Sequence, residues 1–175
     1  MKSLKKTIAG CALAFFALAA FPQDVKNALL IANGAYGRDM GALAEPIPEA
    51  RALQSALESI GFDVTFVQDA DRDRMRSALK SFKEKTKNAG GIAFFHYGGH
   101  AMQIKGANYL IPLRAALEDE QDVAYNCVNV NDLMASMAGE ANVVVLDSCR
   151  NNPFAVSRHR GANTRGLAAV KVKPK

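Results

Sequence analysis

Two short stretches decide the fold of this 175-residue chain: Gly91–His100, with the sequence GIAFFHYGGH, and Asn142–Pro153, with the sequence NVVVLDSCRNNP. Each begins with an apolar run, which predicts a buried strand, and continues into a polar loop with a reactive side chain. The first loop carries His100 and the second carries Cys149. In an open parallel sheet, active groups gather beyond the carboxyl ends of the strands. Neighbouring strands would therefore place an imidazole beside a thiol, an arrangement that activates a cysteine nucleophile.

The composition indicates one globular domain. Hydrophobic residues make up 49% of the chain and charged residues 22%, both ordinary values for a folded protein. The formal net charge is +5, and much of the excess lies at the two ends, in the first six residues and in residues 158–175. Nucleic-acid binding needs a basic face on the folded body. The sequence shows no such face, so we predict no nucleic-acid partner.

Residues 1–19 have the features of a secretory signal peptide. A basic start is followed by an apolar run from Ile8 to Ala20, and Ala17-Leu18-Ala19 is a small-x-small cleavage signal. The run is shorter than the roughly 20 apolar residues that span a bilayer, so an uncleaved anchor is the less favoured alternative. We predict a periplasmic or secreted protein without stable membrane insertion after cleavage. The folded domain would cover residues 20–156, with a basic, mobile tail over 157–175.

The body alternates apolar runs with helical patterns. Four strands are predicted at 27–33, 62–67, 92–96 and 143–146, and three helices at 49–60, about 72–88 and 132–137. Ala52, Leu53, Ala56, Leu57 and Ile60 give the first helix one apolar face, with Gly61 beyond its end. Asp71 and Asn131 are the expected N-caps of the other two helices. Residues 108–112 are predicted to form part of a hairpin. This order predicts an α/β fold with a parallel sheet and helices on both faces.

Cysteines and histidines give the candidate chemistry. Of the three cysteines, Cys11 leaves with the signal, and Cys127 is expected to be a core residue. A Cys127–Cys149 disulfide remains open, although it would block the nucleophile. His96 and His100 have the spacing of an H-x-x-x-H metal pair, but Gly98 and Gly99 argue against the helix which that motif requires. His96 is therefore interpreted as a structural histidine at a strand end.

The residues that flank the two reactive groups carry a family resemblance. His100 and Cys149 are separated by 149 − 100 = 49 positions, close to the spacing of about 50 in caspases. The segments HYGGH at 96–100 and DSCRN at 147–151 resemble the bacterial metacaspase or orthocaspase branch of the caspase-like cysteine peptidases, family C14. The resemblance covers roughly residues 28–154. A third reading, a flavodoxin-like ligand-binding domain, is less favoured because the loop after the first strand is not a convincing phosphate loop.

The resemblance implies a three-layer caspase-like fold and a cysteine endopeptidase acting on polypeptides. Cys149 would be the nucleophile and His100 the acid/base, with the backbone amides of Ala101 and Cys149 stabilising the oxyanion. Asp147 would line the pocket for the residue before the cut and favour Arg or Lys; alternatively, it only orients the loop. No cofactor is required by this mechanism. Some relatives need calcium, and the acidic cluster Glu118–Glu120 is the candidate site for it. A solvated loop is the favoured interpretation of this cluster.

The resemblance also implies a difference at the C-terminus. Relatives continue with further strands, whereas 175 − 149 = 26 residues follow Cys149 here, so the C-terminal strands are expected to be missing. An open sheet edge would then be available for a homo- or hetero-oligomer. The alternative function is a catalytically impaired caspase-like protein that binds or regulates a fuller homologue.

Overall fold

The computed structural model describes residues 25–38, 40–87 and 91–148. The elements in this part of the chain are β1 (Lys26–Ala32), α1 (Pro46–Ser59), β2 (Asp63–Gln68), α2 (Arg72–Lys87), β3 (Ile92–Gly98), β4 (Ala101–Ile104), β5 (Ala107–Leu110), α3 (Glu120–Asn126), β6 (Val128–Asn129), α4 (Val130–Ser136) and β7 (Ala141–Asp147).

The main sheet has four strands in the order β2-β1-β3-β7, and every neighbouring pair is parallel. The predicted parallel sheet is therefore confirmed. The chain leaves β1 toward β2 and returns past β1 to β3, so β1 and β3 lie in the interior of the sheet. Such interior strands are buried on both faces, which explains why their sequences are nearly continuous apolar runs.

Helices cover both faces of the sheet, as predicted for a three-layer arrangement. On one face, Leu53 and Leu57 of α1 pack on Ala28 and Leu30 of β1 and on Phe94 of β3. On the other face, α2 and α4 pack on the alternate side chains of the same strands; these include Leu29, Ile31, Phe95, Tyr97, Met75, Phe82, Leu133 and Met137. The period of two along each strand divides its apolar residues between the two cores.

A small antiparallel sheet, in the order β4-β5-β6, follows β3. It contains the predicted hairpin, whose second strand ends at Leu110. The third strand, Val128–Asn129, was not predicted. A separate apolar cluster under this sheet includes Tyr36, Met102, Ile111 and the free thiol Cys127. The expectation that Cys127 is a core residue is confirmed, and burial raises the pKa of its thiol to about 12.

The first helix begins earlier than predicted, at Pro46. Proline is tolerated in the first helical turn, where its missing N–H has no partner to lose. The buried residues of α1 are Pro46, Ala50 and Leu57, while Ile60 is 59% exposed. The predicted apolar face was therefore wrong in part. Gly61, with φ of 88°, lies just beyond the C-cap as expected. The predicted cap of α2 is also confirmed, because the Asp71 carboxylate accepts from the Arg74 amide at 3.0 Å.

The N-cap of α4 is Asn129, and the prediction of Asn131 was wrong. The Asn129 side chain accepts a hydrogen bond from the Asn131 amide at 2.8 Å. Either asparagine suits a cap, and the two-residue strand β6, which fixes Asn129 in extended backbone, decides between them.

The acidic cluster at 118–122 forms the beginning of α3, a helix that the sequence analysis did not predict. Asp119 is its N-cap and accepts from the amides of Gln121 and Asp122 at 2.7 and 3.0 Å. The Asp122 carboxylate accepts in return from the Asp119 amide at 3.3 Å. This reciprocal pair is a capping box. The carboxylates therefore satisfy the amides of a helix end.

Substituting Asp119 by Ala should destabilise the domain by about 1 kcal/mol, the usual cost of losing an N-cap. Urea unfolding of the two proteins measures this difference. Glu118→Ala is the matched control, because the Glu118 side chain makes neither of the capping hydrogen bonds. Equal stability of all three proteins would contradict the capping assignment.

Strand β7 lies at one edge of the main sheet within the described residues. Val143 and Val145 on its α1-facing side are each 40% exposed. The signal at 1–19, the tail at 157–175, the domain end at 156 and the expected absence of C-terminal strands all fall outside the described residues and stay predictions. Within the described ranges, no helix is long and apolar enough to span a membrane.

Candidate active site

The carboxyl ends of β3 and β7 lie side by side, as the two opening stretches predicted. Gly98 at the end of β3 is in register with Asp147 at the end of β7. Beyond the paired residues, the Gly99 amide donates to the Asp147 carbonyl at 3.3 Å. The loop that carries His100 is thus bonded to the strand that leads to Cys149. Cys149 itself lies outside the described residues, as do its thiol and its amide.

The loop after β1 reaches the same edge of the sheet. Asn33 is fully buried, and its side-chain oxygen accepts from the Ala70 amide at 2.8 Å while its nitrogen donates to the Ala70 carbonyl at 3.1 Å. The Asp69 carboxylate accepts from the amides of Gly34 and Ala35 at 2.9 and 3.0 Å. Burial tends to raise the pKa of Asp69, but these two amides, together with smaller effects from Gln68 and Arg74, lower it overall. The side chains of Asn33 and Asp69 thus hold the loop after β1 against the loop after β2.

His100 is buried, with 6% of its surface exposed. Its ring packs on Tyr36 of the β1 loop, with ring centroids 4.5 Å apart and an interplanar angle of 58°. Its Nε2 atom lies 2.9 Å from the carbonyl oxygen of Gly41. A carbonyl can only accept, so Nε2 carries a proton in this hydrogen bond, and Nδ1 is the other nitrogen of the ring.

Asp147 has a carboxyl partner that was not anticipated. The side chain of Glu49, in the first turn of α1, interacts with that of Asp147, and both residues are exposed. The interaction with Asp147, with smaller effects from burial and from the negative charges of Asp147 and Glu45, raises the pKa of Glu49. We call these three carboxyls the acidic rim (Glu45, Glu49 and Asp147).

His96 lies in the middle of the sheet and is 6% exposed. Its Nδ1 atom has no hydrogen-bond partner among the described residues. Burial lowers the pKa of His96, and the charge of Asp147 opposes this shift without cancelling it. His96 is therefore a neutral histidine in the folded state, in line with the structural interpretation.

The burial of His96 should make the domain sensitive to acid. The unfolded chain takes up a proton near the ordinary histidine pKa of about 6.5, whereas the folded chain resists it until lower pH. The free energy of unfolding should thus decrease as pH falls through that range. Urea titrations at stepwise lower pH measure the slope, and His96→Phe should flatten it. An identical slope in wild type and His96→Phe would contradict this prediction.

Ala101 is the first residue of β4 and is buried opposite Leu110. No group of three or more His, Cys, Asp or Glu side chains suited to a metal ion occurs in residues 25–38, 40–87 and 91–148. In particular, His96 is enclosed in β3 while His100 packs on the β1 loop. The acidic cluster of α3 is engaged in its capping box and, through Glu120, in an ion pair with Lys105 at 3.3 Å.

Comparison with known families agrees with this architecture. Residues 25–173 match the family model of the peptidase C14 caspase domain. The chain belongs to the caspase-domain family. The match extends from β1 beyond Cys149, so it includes both strand ends. No curated protein matched the chain at a significant level.

The caspase-domain family is a family of cysteine peptidases, and the substrates of peptidases are polypeptides. The structure brings His100, Ala101 and Asp147 to one edge of the sheet. Sequence reasoning missed Glu49, Tyr36 and the Gly41 carbonyl. An acidic residue in the first turn of a helix is common for reasons of the helix dipole alone. Glu49 therefore gave no distinct signal.

Proposed function

We propose that this caspase domain is a cysteine endopeptidase that cleaves after Arg or Lys, with His100 as acid/base and Cys149 as nucleophile. The observation that carries the proposal is the adjacency of the two strand ends. The Gly99 amide bonds the Asp147 carbonyl at 3.3 Å, and Cys149 follows Asp147 by two residues. A single hydrogen bond therefore joins the residue before His100 to the residue two positions before Cys149.

The hydrogen bond of the His100 ring supports its proposed role. With Nε2–H donating to the Gly41 carbonyl, the ring offers Nδ1 to the Cys149 thiol and gains a full positive charge when it takes the thiol proton. The thiolate then adds to the scissile carbonyl. Collapse of the tetrahedral intermediate breaks the C–N bond as the imidazolium protonates the leaving amine. Water hydrolyses the resulting thioester and restores the thiol.

The Ala101 amide is suited to an oxyanion hole. Ile111 donates its amide to the His100 carbonyl at 3.0 Å, which makes His100 and Ile111 a hydrogen-bonded pair of the hairpin. Such pairs alternate with pairs whose N–H groups point away from the partner strand. Ala101, opposite Leu110, is the next residue, so the β4–β5 ladder does not consume its N–H. This amide and that of Cys149 would stabilise the oxyanion.

The acidic rim supports specificity for a basic side chain. The carboxyls of Asp147 and Glu49 interact closely enough for Asp147 to raise the pKa of Glu49, so two acidic groups face the same space. A guanidinium or ammonium group there would bind both carboxylates, a gain unavailable to an acidic or neutral side chain. The pair of carboxyls favours a pocket role for Asp147 over a purely loop-orienting one.

The test uses fluorogenic peptides ending in Arg, Lys or Asp, with the mature protein in reductant. Turnover of the Arg and Lys peptides is expected, together with covalent labelling of Cys149 by a peptidyl electrophile. Absence of both turnover and labelling would refute the peptidase and favour the binding alternative. Cleavage only after Asp would refute the specificity.

We further propose that calcium is not required, and that the mature protein is exported. The same peptide assay with calcium or with a chelator tests the first statement, because a chelator-sensitive rate would contradict it. Intact-mass analysis of the protein purified from its native compartment tests the second. A mature N-terminus near Ala20 is expected.

A further inference from the structure

The hydroxyl of Tyr36 is inserted into the backbone pairing between His100 and Ile111. Ile111 donates its amide to the His100 carbonyl at 3.0 Å. A regular antiparallel pair would return a second bond from the His100 amide to the Ile111 carbonyl. Instead, the His100 amide donates to the Tyr36 hydroxyl at 3.1 Å, and that hydroxyl lies 2.9 Å from the Ile111 carbonyl. The hydroxyl thus bridges the two groups.

A second hydroxyl, that of Tyr97 in β3, closes the arrangement. It lies 2.9 Å from the His100 carbonyl, 2.9 Å from the Ile111 carbonyl and 3.0 Å from the Tyr36 hydroxyl. In one consistent arrangement, Tyr97 donates to His100 and Tyr36 donates to Ile111. In another, Tyr97 donates to Ile111 and Tyr36 donates to Tyr97. In both of these, the His100 amide donates to the Tyr36 hydroxyl and a tyrosine donates to the Ile111 carbonyl, which also lies 3.4 Å from the Asn33 side-chain nitrogen.

We propose that Tyr36 and Tyr97 form a hydroxyl clamp on the backbone of His100, and that this clamp positions the imidazole for catalysis. Together with the Ile111 amide on the His100 carbonyl, the clamp restrains both backbone polar groups of His100, and hence its backbone dihedral angles. The Tyr36 ring then packs against the imidazole at 4.5 Å, while the same loop supplies the Gly41 carbonyl to Nε2. The inference rests on the proposed function for its catalytic part only.

Gly99 provides the space for the two hydroxyls. Its φ of 153° favours glycine. A Cβ atom at this position would lie 2.7 Å from the Tyr36 hydroxyl and 2.8 Å from the Tyr97 hydroxyl. Burial raises the pKa of both phenols, so each keeps the proton that the clamp uses. The glycine before His100 is thus explained by the clamp as well as by the turn.

The two tyrosines should differ in importance. Loss of the Tyr97 hydroxyl leaves the His100 carbonyl with its bond from Ile111. Loss of the Tyr36 hydroxyl leaves a buried amide to find a new acceptor, and the direct one is the Ile111 carbonyl. Closing that bond would pull His100 toward the hairpin. Misplacement of a catalytic group by about 1 Å costs on the order of 10²-fold in rate, so Tyr36→Phe should approach that loss in kcat and Tyr97→Phe should lose less.

The experiment compares Tyr36→Phe and Tyr97→Phe with Tyr109→Phe, a control on β5 of the same hairpin whose hydroxyl is outside the clamp. We expect kcat to fall most in Tyr36→Phe, less in Tyr97→Phe and not in Tyr109→Phe. KM should change little, because none of these substitutions alters the acidic rim. Nitrogen NMR of the His100 imidazole should show the Nε2–H tautomer in wild type and control, and a mixed population in Tyr36→Phe. Gly99→Ala, which intrudes on both hydroxyls, should show the same mixture and serves as the second variant if Tyr36→Phe does not fold.

Unchanged kcat and unchanged imidazole spectra in both tyrosine variants would overturn the clamp. A lower melting temperature with normal kcat and a normal spectrum would also overturn it, because that result indicates a structural role only. If the wild type itself turns over no peptide, the peptidase proposal fails separately. The spectra still decide the clamp, since they need no substrate.

Discussion

Cys149→Ala should abolish cleavage of Arg- and Lys-ended peptides, and His100→Ala should reduce kcat/KM by about 10² to 10⁴-fold, the range attributed to positioned acid–base groups. The thiolate is the attacking atom, so nothing replaces it in the alanine variant. Without His100 the thiol must lose its proton to water, and the leaving amine departs without its acid. The two residues act as one unit, so the double variant should be no slower than Cys149→Ala.

The chain offers a matched control for this experiment. Cys127→Ala also removes one thiol, but that thiol is buried under the β4–β5 hairpin. It should retain turnover and lose only some stability from the small cavity. Residual activity in Cys149→Ala, or loss of activity in Cys127→Ala with the fold intact, would contradict the assignment of the nucleophile.

Asp147→Asn should reduce kcat/KM for an Arg-ended peptide by about 10²-fold, within the cost of removing one partner of a charge pair, and Glu49→Gln should have a smaller effect of about tenfold, or about 1.4 kcal/mol. Asp147 is given the larger effect because it belongs to the strand that leads to Cys149. Reversal of both charges, Asp147→Arg with Glu49→Arg, should shift preference from basic to acidic side chains. Peptide libraries that vary only the residue before the cut measure the change.

Glu58→Gln is the control for charge, because Glu58 lies at the far end of α1 and its carboxylate bonds Gln54 at 2.8 Å. It should leave specificity unchanged. If the charge-reversed variant keeps its preference for Arg, the acidic rim does not read the substrate, and Asp147 has the loop-orienting role instead.

The raised pKa of Glu49 gives the rim a pH dependence. As pH falls through the raised pKa, Glu49 takes up a proton and the rim loses one negative charge, so KM for Arg-ended peptides should rise. This increase should begin at higher pH than for an ordinary glutamate. In Glu49→Gln this carboxyl is absent, so the increase in KM at the raised pKa of Glu49 should disappear.

The fold could be predicted largely because its determinants are local. Alternating and continuous apolar runs placed four strands within one or two residues of their observed bounds, and their order with helices implied the parallel sheet. The errors fell where two local signals compete. Glu118–Asp122 gave the same acidic signal for a solvated loop and for a capping box, and Asn129 and Asn131 are equally good caps until β6 fixes one of them.

The site was predictable only in part, since its remaining contacts join distant segments. Glu49 of α1 interacts with Asp147 of β7, and the Tyr36 hydroxyl reaches a backbone amide 64 positions away. No period or spacing in one sequence reports such contacts. The position of His100 at the sheet edge could be predicted because it follows β3 directly, whereas its contacts come from the β1 loop, which Asn33 and Asp69 hold in place.

The burial of Cys127 suits the proposed mature chain, which would lack Cys11, to thiol chemistry. With its pKa near 12, this thiol stays protonated and unreactive at neutral pH. A maleimide or iodoacetamide should therefore modify the native protein once and quickly, at Cys149, and the denatured protein twice. The time course of alkylation then reports the state of the nucleophile without any mutation, and the slow second phase reports global unfolding in the same tube.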